Sequence, residues 1–461
     1  MSTLPVAFQN QMKRLLGEAG FFAYEKALSE PVTRALRVNL LHFADGKAPC
    51  EIEGLGNPVP WARGAYFVEG DARPGLSPLH EGGLFYLQEP SAMTAVSVLD
   101  PQPGERVLDL CAAPGGKSTQ IAALMGGEGL VVANEPVPSR AQILSRNVER
   151  MGVRNAVVTS AYPQELAPHF AAFFDRILVD APCSGEGMFR RQPEAIDEWS
   201  ENAPRGCADR QMEILEEAAK MLAPGGRMVY STCTFNDTEN EGVLARFLAI
   251  HPEFALEAFH LPGLPEAKEG YLHLYPHEMR GEGHFVSLLV KSLDAPAADE
   301  ALPVQSSGRK DRSPKPQRGK GAKAKEEVKI DLPDVLAKGV TFDRLYTAGG
   351  CLWNLPQGLD MERLSGLRVL RTGLLLARME GKRAEPDHAL AMALRPEEAA
   401  RVVSLDREQA LAYQAGEALM LGDELESGYT LLCHEGVSLG FGKQAGGVMK
   451  NHYPKGLRRR G

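Results

Sequence analysis

The sequence predicts an α/β fold in which a parallel, Rossmann-like sheet lies between a small α+β N-terminal segment and a C-terminal module. Two observations predict it. Between residues 105 and 291, short apolar runs alternate with amphipathic stretches of helical period. Strands that alternate with helices of about 10–15 residues indicate βαβ units and a parallel sheet. Near the C-terminus, residues 429–442 instead suggest a small β-rich module.

Composition excludes several classes of protein. Of the 461 residues, 44% are hydrophobic and 24% are charged, which is ordinary globular usage. The formal net charge of −9 excludes a globally basic nucleic-acid binder, although not a locally basic one. No apolar run approaches the ~18 residues that span a bilayer. We expect no membrane association.

The seven cysteines point to a reducing compartment. The two closest are 24 positions apart, so no Cys-x-x-Cys pair typical of zinc or redox sites exists. The N-terminus has no apolar core of a secretory signal. We therefore expect a cytoplasmic protein with free thiols and no metal site.

Charge and composition divide the chain. Residues 309–325 hold eight basic residues and one acid among Pro, Gly and Ser, which predicts a disordered, extended linker. The last 21 residues hold six basic residues and no acid. Basic charge of this kind either solubilises a linker and tail or contacts phosphate. The predicted domains are 1–95 (an α+β segment that orients substrate), 96–291 (the Rossmann-like domain), 292–330 (the basic linker) and 331–461 (the C-terminal region).

The elements follow in order along the chain. Phe8, Met12, Leu15 and Leu16 form the apolar stripe of a first helix, and Pro31 ends the helical stretch that follows. Residues 34–90 indicate a small α+β segment. The remaining predicted elements are strands at 105–110, 129–135, 155–160, 175–182, 225–233 and 283–291, helices at 118–125, 141–151 and 208–222, and two strands within 429–442 joined at Glu435 and Gly436.

A cofactor site is predicted after the first two strands of the parallel sheet. The first strand runs into Cys111-Ala112-Ala113-Pro114-Gly115-Gly116-Lys117, and a helix follows. Small residues let the backbone approach a ligand, and the N–H groups of the new helix can hold an anion. The motif is neither G-x-G-x-x-G nor a P-loop, which disfavours a dinucleotide or ATP. Glu135 lies 20 residues after Gly115, a spacing that suits a ribose diol, so S-adenosylmethionine is the leading candidate.

Two cysteines follow the ends of two further strands. Cys183 lies in Asp180-Ala181-Pro182-Cys183 and Cys233 in Ser231-Thr232-Cys233. A lone free cysteine is usually an inert, small hydrophobe. Two cysteines at adjacent carboxyl strand ends, beside a cofactor pocket, favour catalysis instead. A thiolate that adds at carbon-6 of a pyrimidine activates carbon-5 for methylation, and a base must then remove the carbon-5 proton. Asp180 is placed to bind the cytosine amino group and ring nitrogen.

These motifs resemble a known family. DLCAAPGGKS, DAPCSGEG and YSTCT are similar to the NOL/NOP/Sun family of RNA cytosine carbon-5 methyltransferases. LRVN at 36–39, YLQEPSAM at 86–93 and PHEMRGEGHF at 276–285 also match. The ending GFGKQAGGVMKNHYPKGLRRR resembles the bacterial RsmF-type subgroup, which methylates 16S ribosomal RNA. The resemblance covers nearly the whole chain except the linker.

The resemblance implies roles for the matching positions. Cys233, in the Thr-Cys motif, would be the nucleophile, and Cys183 would assist release of the adduct. Residues Cys111 to Lys117, Glu135, Arg140 and Asp180 would hold S-adenosylmethionine. DNA cytosine methyltransferases use a Pro-Cys nucleophile, which would favour Cys183, but the additional Thr-Cys motif favours the RNA type. The resemblance also implies a C-terminal PUA-like RNA-binding module.

The chain departs from the family pattern at one point. The family often has an Asp at the end of the third strand, beside the adenine. Here the segment reads Val158-Thr159-Ser160-Ala161, with no acid. Ser160 or a backbone group would have to take over adenine recognition.

RNA would be held through its phosphates and by an extruded base. The phosphate candidates are Arg190, Arg191, Lys450, Lys455 and Arg458, followed in the tail by Arg459 and Arg460. His452 and Tyr453 are candidates for stacking on a base. The alternative interpretation of Tyr453 is a packing anchor for the tail.

The leading hypothesis is a methyltransferase that forms 5-methylcytosine in 16S ribosomal RNA, within the small subunit. The first alternative is the same chemistry on transfer RNA. A second is a non-catalytic ribosome-assembly factor, against which the intact cysteines, Asp180 and Glu135 argue. A small-molecule methyltransferase would leave the basic linker and tail without a purpose.

Overall fold

A computed structural model describes residues 4–295, 334–380, 383–422 and 424–458, which form four β-sheets. The predicted linker at 292–330 lies almost entirely outside the described residues, as do Arg459 and Arg460. The predicted α/β class is confirmed, with a nine-stranded mixed sheet at the centre of the chain.

The N-terminal segment is a long helix followed by an antiparallel sheet. Helix α1 buries Phe8 and Met12 of the predicted stripe, and it is interrupted at Gly17, where φ is 71°. Its buried face packs against Phe189 and Phe235, which lie beyond the two catalytic-candidate cysteines. The sheet has the order β2-β3-β1-β4. The elements are α1 (Val6–Leu28), β1 (Arg34–Val38), β2 (Leu55–Pro58), β3 (Ala65–Val68), α2 (Pro78–Glu81) and β4 (Phe85–Leu87).

The central domain follows the predicted alternation of strands and helices. Its elements are α3 (Thr94–Leu99), β5 (Arg106–Asp109), α4 (Gly116–Leu124), β6 (Leu130–Asn134), α5 (Pro138–Arg150), β7 (Ala156–Thr159), α6 (Pro163–Leu166), β8 (Phe174–Asp180), α7 (Glu194–Glu198), α8 (Ala203–Met221), β9 (Leu222–Thr232), α9 (Glu241–Ile250), β10 (Phe254–Leu256), β11 (Tyr271–Leu274) and β12 (His284–Lys291). Strands β9, β8, β5, β6 and β7 are parallel neighbours in that order. Separate hydrophobic cores cover the two faces of the sheet. The parallel strands therefore present their carboxyl ends along one edge, where the predicted site residues follow them.

The C-terminal region holds two smaller sheets, of orders β13-β14-β16-β17 and β18-β20-β21-β22-β19. The predicted hairpin is confirmed, because β20 and β21 are joined at Glu435 and Gly436, both in the left-handed region. The elements are β13 (Leu345–Ala348), β14 (Cys351–Asn354), β15 (Val369–Thr372), β16 (Leu374–Glu380), β17 (Arg383–Pro386), α10 (His388–Ala393), β18 (Val402–Ser404), α11 (Arg407–Ala415), β19 (Leu419–Met420), β20 (Gly428–His434), β21 (Val437–Ala445) and β22 (Val448–Asn451).

The central sheet extends beyond the predicted domain of residues 96–291. Strand β15 comes from the C-terminal region, yet it pairs antiparallel with β7, with Val369 opposite Thr159. The Ser160 N–H also donates to the Arg368 carbonyl at 2.9 Å. At the opposite edge, β12 runs antiparallel to β9 and β10 antiparallel to β12. The purely parallel sheet of the prediction is therefore wrong at both edges, because short apolar runs do not reveal strand direction.

Candidate active site and cofactor-binding cleft

The turn after β5 exposes backbone at the start of α4. Gly115 has a φ of 112°, a conformation that favours glycine, and a Cβ there would meet the Leu144 side chain at 3.2 Å. The Arg37 guanidinium holds the turn by donating to the Gly116 carbonyl at 2.7 Å. No side chain of the described residues caps the helix, so its first N–H groups are available to an anionic group.

Three predicted cofactor residues meet at the end of β6. The Glu135 carboxylate is 2% exposed and accepts from the Val137 N–H at 3.0 Å. Arg140 pairs with Glu135 at 3.3 Å and also donates to the Ala113 carbonyl at 3.3 Å. The arrangement fixes the Glu135 carboxylate beside the Gly115 turn, where it can accept from ribose hydroxyls.

Asp180 is the polar centre of the cleft. Its carboxylate accepts from the Lys117 ammonium at 2.7 Å and from the Ser231 hydroxyl at 2.9 Å, and His284 Nε2 lies 3.5 Å away. Burial alone would raise the pKa of Asp180, but Lys117 and His284 outweigh it and hold that pKa well below its usual range. Asp180 is therefore ionised at neutral pH. Sequence reasoning placed Asp180 and Lys117 here but missed Ser231 and His284.

A second buried carboxyl lies beneath the turn and was also missed. Asp109 is fully buried and accepts from the Ser118 hydroxyl at 2.6 Å, while its other oxygen has no partner among the described residues. Burial raises the pKa of Asp109 to about 7. Burial likewise raises the pKa of the Cys111 thiol, which makes Cys111 a packing residue rather than a nucleophile.

The two candidate cysteines are in contact. The Sγ atoms of Cys183 and Cys233 lie 3.1 Å apart, both residues are partly exposed, and neither forms a disulfide. Their hydrogen bond, with burial, raises the pKa of Cys183 well above its usual range. The Cys183 thiol therefore keeps its proton and can donate it to the sulfur of Cys233.

Several hydrogen bonds join the loops that carry the two sulfurs. The Gly187 N–H donates to the Cys233 carbonyl at 2.8 Å, and the Ser184 and Thr234 hydroxyls lie 2.8 Å apart. The buried Glu186 carboxylate accepts from the Phe235 N–H at 2.8 Å and from Gln11 of α1 at 2.8 Å. The short sulfur–sulfur distance is thus set by the backbone of both loops, with support from α1.

Four of the seven predicted RNA-binding residues remain accessible to solvent. Lys450, His452 and Lys455 are exposed in the last described segment. Arg458 is partly buried and lies within 3.4 Å of the Tyr453 carbonyl. Sequence reasoning missed Lys443, which lies directly opposite Lys450 on the neighbouring strand and is also exposed. Its alternation with the buried Gly442 and Gln444 could have indicated this.

The other predicted RNA contacts are corrected by burial. The Arg190 side chain is 4% exposed and pairs with the buried Glu282 at 2.7 Å, so the prediction of a phosphate contact is wrong. Arg191 is held between the Thr33 carbonyl and Glu282 and is only partly exposed. Tyr453 is 3% exposed and packs edge-on against Tyr413, so the packing interpretation replaces base stacking.

Two searches of the described residues gave negative findings. They contain no group of three or more His, Cys, Asp or Glu side chains arranged to hold a metal ion. None of the helices in the described ranges combines the length and apolar character needed to cross a bilayer.

The uncapped, glycine-lined helix start, the Glu135 carboxylate and the unpartnered oxygen of buried Asp109 fit a nucleoside that also carries an amino acid. On this sheet, they define the class of S-adenosylmethionine-dependent methyltransferases. The family model described as 16S rRNA methyltransferase RsmB/F matches residues 96–290. Models of three further RsmF parts also match: the N-terminal domain (4–90), the first C-terminal domain (332–394) and the PUA domain (400–459). The chain belongs to the RsmB/F family and has the domain set of its RsmF branch.

Individual relatives agree with this assignment. The ribosomal RNA small subunit methyltransferases F of Erwinia tasmaniensis and Klebsiella pneumoniae are each 34% identical to this chain, over 99% of it and 97% of their own length. A solved methyltransferase homologue from Pyrococcus horikoshii is 29% identical, with a TM-score of 0.53 over 62% of this chain and 94% of its own. NSun6 from the same organism, solved with SFG, has a TM-score of 0.55 at 24% identity and covers 62% of this chain and 98% of its own, which shows the fold. The resemblance to the family and the PUA-like module are confirmed.

Proposed function

We propose that this chain methylates carbon-5 of cytosine in 16S ribosomal RNA, in the cytosol, with Cys233 as nucleophile and Cys183 as the residue that assists release. The observation that carries the proposal is the 3.1 Å separation of the two sulfur atoms beside Asp180. A methyltransferase acting on a more nucleophilic atom needs no thiol pair at this position. Relatives over the full length are named as small-subunit ribosomal RNA methyltransferases, which favours this RNA.

The cofactor-binding residues divide their tasks by charge. The first turn of α4 and the Lys117 ammonium suit the carboxylate of S-adenosylmethionine, while Glu135 suits its ribose hydroxyls. When bound, the cofactor supplies an electrophilic methyl group. Ser160 uses its backbone N–H on Arg368, so only its side chain, or another backbone group, is left for adenine.

The two cysteines then act in sequence on the target base. The Cys233 sulfur adds at carbon-6 of the extruded cytosine, and Asp180 binds the amino group and ring nitrogen while charge develops there. Once Cys233 is bonded to carbon, its hydrogen bond to Cys183 is lost and the pKa of Cys183 falls. Cys183 then assists removal of the carbon-5 proton, after which the Cys233–carbon bond breaks.

The proposal is tested by trapping RNA on variants in cells that contain the substrate. We expect Cys183→Ala to carry covalently bound RNA on denaturing gels, because its adduct cannot resolve, and Cys233→Ala to carry none. Cys351→Ala, a remote cysteine, is the matched control and should carry no RNA. Sequencing of the trapped RNA should identify 16S ribosomal RNA.

Three outcomes would overturn parts of the proposal. RNA on Cys233→Ala alone would reverse the two roles, as in the DNA enzymes. Trapping of transfer RNA alone would favour the alternative substrate. Trapping on neither variant, with both folded, would favour a ribosome-assembly factor without this chemistry.

A further inference from the structure

Glu239 lies directly behind the loop that carries Cys183, although no motif singled it out. The residue is fully buried in the segment after β9, and its carboxylate oxygens lie 3.1 and 3.3 Å from the Ser184 N–H. Ser184 follows Cys183 in the chain, so Glu239 acts on the peptide unit that orients the Cys183 sulfur.

Three donors face the Glu239 carboxylate, which suits the ionised form. Besides the Ser184 N–H, Gln211 Nε2 and Asn236 Nδ2 each donate to it at 2.8 Å. Gln211 Nε2 also donates to the Pro182 carbonyl at 3.0 Å, on the other side of Cys183. The peptide units before and after Cys183 are therefore both fixed by one buried acidic cluster.

We propose that Glu239 is a positioning residue for the reaction: its carboxylate fixes the Cys183 loop against Cys233, and its negative charge holds the Cys183 sulfur in the thiol form. The pair then has one defined proton donor, and only Cys233 is free to add to a base. The inference deepens the proposed function, because it rests on the same two sulfurs.

Other ionisable groups also face the pair and belong to the electrostatic argument. They are Tyr230 and Cys233 of β9 and its loop, Cys207 of α8, Glu186 of the Cys183 loop, and Lys117 and Asp180 on the cofactor side. Lys117 and Asp180 pair with each other, so their charges largely cancel at the sulfurs. Burial and the Glu239 charge both raise the pKa of Cys183 and so act in the same direction.

The test measures Cys183 in the full-length chain, without RNA. In a Cys233→Ser background, the rate of Cys183 alkylation by iodoacetamide is followed against pH by peptide mass spectrometry. Glu239→Gln should move the midpoint down by about one pH unit and raise the rate at pH 7.5 about tenfold, because the nearby negative charge is removed. With both cysteines present, the preference of iodoacetamide for Cys233 over Cys183 should fall by a similar factor.

The matched control is Glu241→Gln, two residues along the chain, whose carboxylate pairs with His273 at 2.6 Å. It should leave the midpoint unchanged, and Glu239→Asp, which keeps the charge, should restore it. Faster alkylation without a shifted midpoint in Glu239→Gln would mean that the residue only holds the loop, and would overturn the electrostatic part of the inference. An unchanged rate and midpoint would overturn it entirely.

Two further measurements keep the outcome interpretable. If Glu239→Gln fails to fold, as judged by loss of S-adenosylmethionine binding, the Glu239→Asp chain at one-tenth pH steps gives the test, and a midpoint displaced from that of Glu239 is then expected while an identical one would overturn the inference. Because alkylation needs no RNA, its result stands apart from the trapping experiment. Failure of Cys183→Ala to trap 16S ribosomal RNA would count against the proposed function alone.

Discussion

Lys117 and Asp180 form the ion pair on which cofactor binding should depend most directly. Their side chains are 13% and 27% exposed, and the atoms lie 2.7 Å apart. Replacing Lys117 by Met removes a charged contact to the cofactor and leaves Asp180 to the effect of burial. We expect S-adenosylmethionine to bind at least tenfold more weakly at pH 7.5, by calorimetry, since charged hydrogen bonds contribute about 1.5–3 kcal/mol.

The same substitution predicts a pH dependence with a definite sign. In the native chain the pKa of Asp180 is lowered, so its favourable ionised form persists below its ordinary pKa and is lost only as the pH falls further. In Lys117→Met the pKa of Asp180 rises, so affinity should begin to fall at a higher pH. Titrations from pH 5 to 8 should show a flat profile for the native chain and an acid limb for the variant. Parallel profiles would contradict the assignment.

At this scale the sequence predicted residues better than their surroundings. Cys183, Cys233 and Asp180 follow strands directly, so strand alternation alone predicts one edge of the sheet for them. Ser231 and His284 reach Asp180 from different strands, and no spacing relates them to it. Arg190 resembles a phosphate ligand in the sequence, because its partner Glu282 is 92 positions away.

Among the elements, α1 and the loops of the central domain are held together by the Arg190–Glu282 pair. Arg190 also donates to the Ala27 carbonyl of α1 at 2.9 Å and to the Gly281 carbonyl at 2.9 Å. Arg190→Met should cost about 3 kcal/mol in the free energy of unfolding, because Glu282 stays buried without its partner. Arg246→Met, which breaks an exposed pair with Asp209, should cost no more than about 0.5 kcal/mol. Urea unfolding measures both, and equal losses would refute the argument.

Strand β15 makes a second prediction about elements. Val369→Pro removes a backbone N–H from the strand that pairs with β7 and should disrupt the pairing. Val369→Ala keeps the backbone intact and is the matched control. Hydrogen exchange of the Ser160 amide, which donates to the Arg368 carbonyl, should speed up at least about tenfold in the Pro variant and stay slow in the Ala variant. Similar protection in both would show that β15 is not required.

The periodic elements of the central sheet were predictable, whereas its edges were not. Each βαβ unit is local, and its apolar run and helix face are visible within about 30 residues. Strand β15 is four residues long and pairs with a strand far back in the chain. Such pairing depends on how two modules dock, which neither hydrophobic period nor propensity encodes.

Across the whole molecule, a net charge of −9 must be reconciled with an RNA substrate. Lys443 and Lys450 face each other on adjacent strands of the PUA-like module, an arrangement that costs stability without an anion. Changing both to Glu should weaken binding of 16S ribosomal RNA and reduce the slope of log affinity against log salt by about 2. Lys47→Glu with Lys268→Glu carries the same charge change at remote exposed sites. An equal loss in that control would reduce the effect to net charge.

The pairing of β15 with β7 has a consequence for synthesis of the protein. Val369 lies 210 residues after its partner Thr159. At roughly 5–20 residues per second, a ribosome needs about 10–40 s to make the intervening chain. During that interval the nascent chain holds both cysteines, while β7 has an unpaired edge beside the cofactor cleft. The enzyme therefore reaches its finished form only when translation is almost complete, and until then the open strand is exposed to wrong partners.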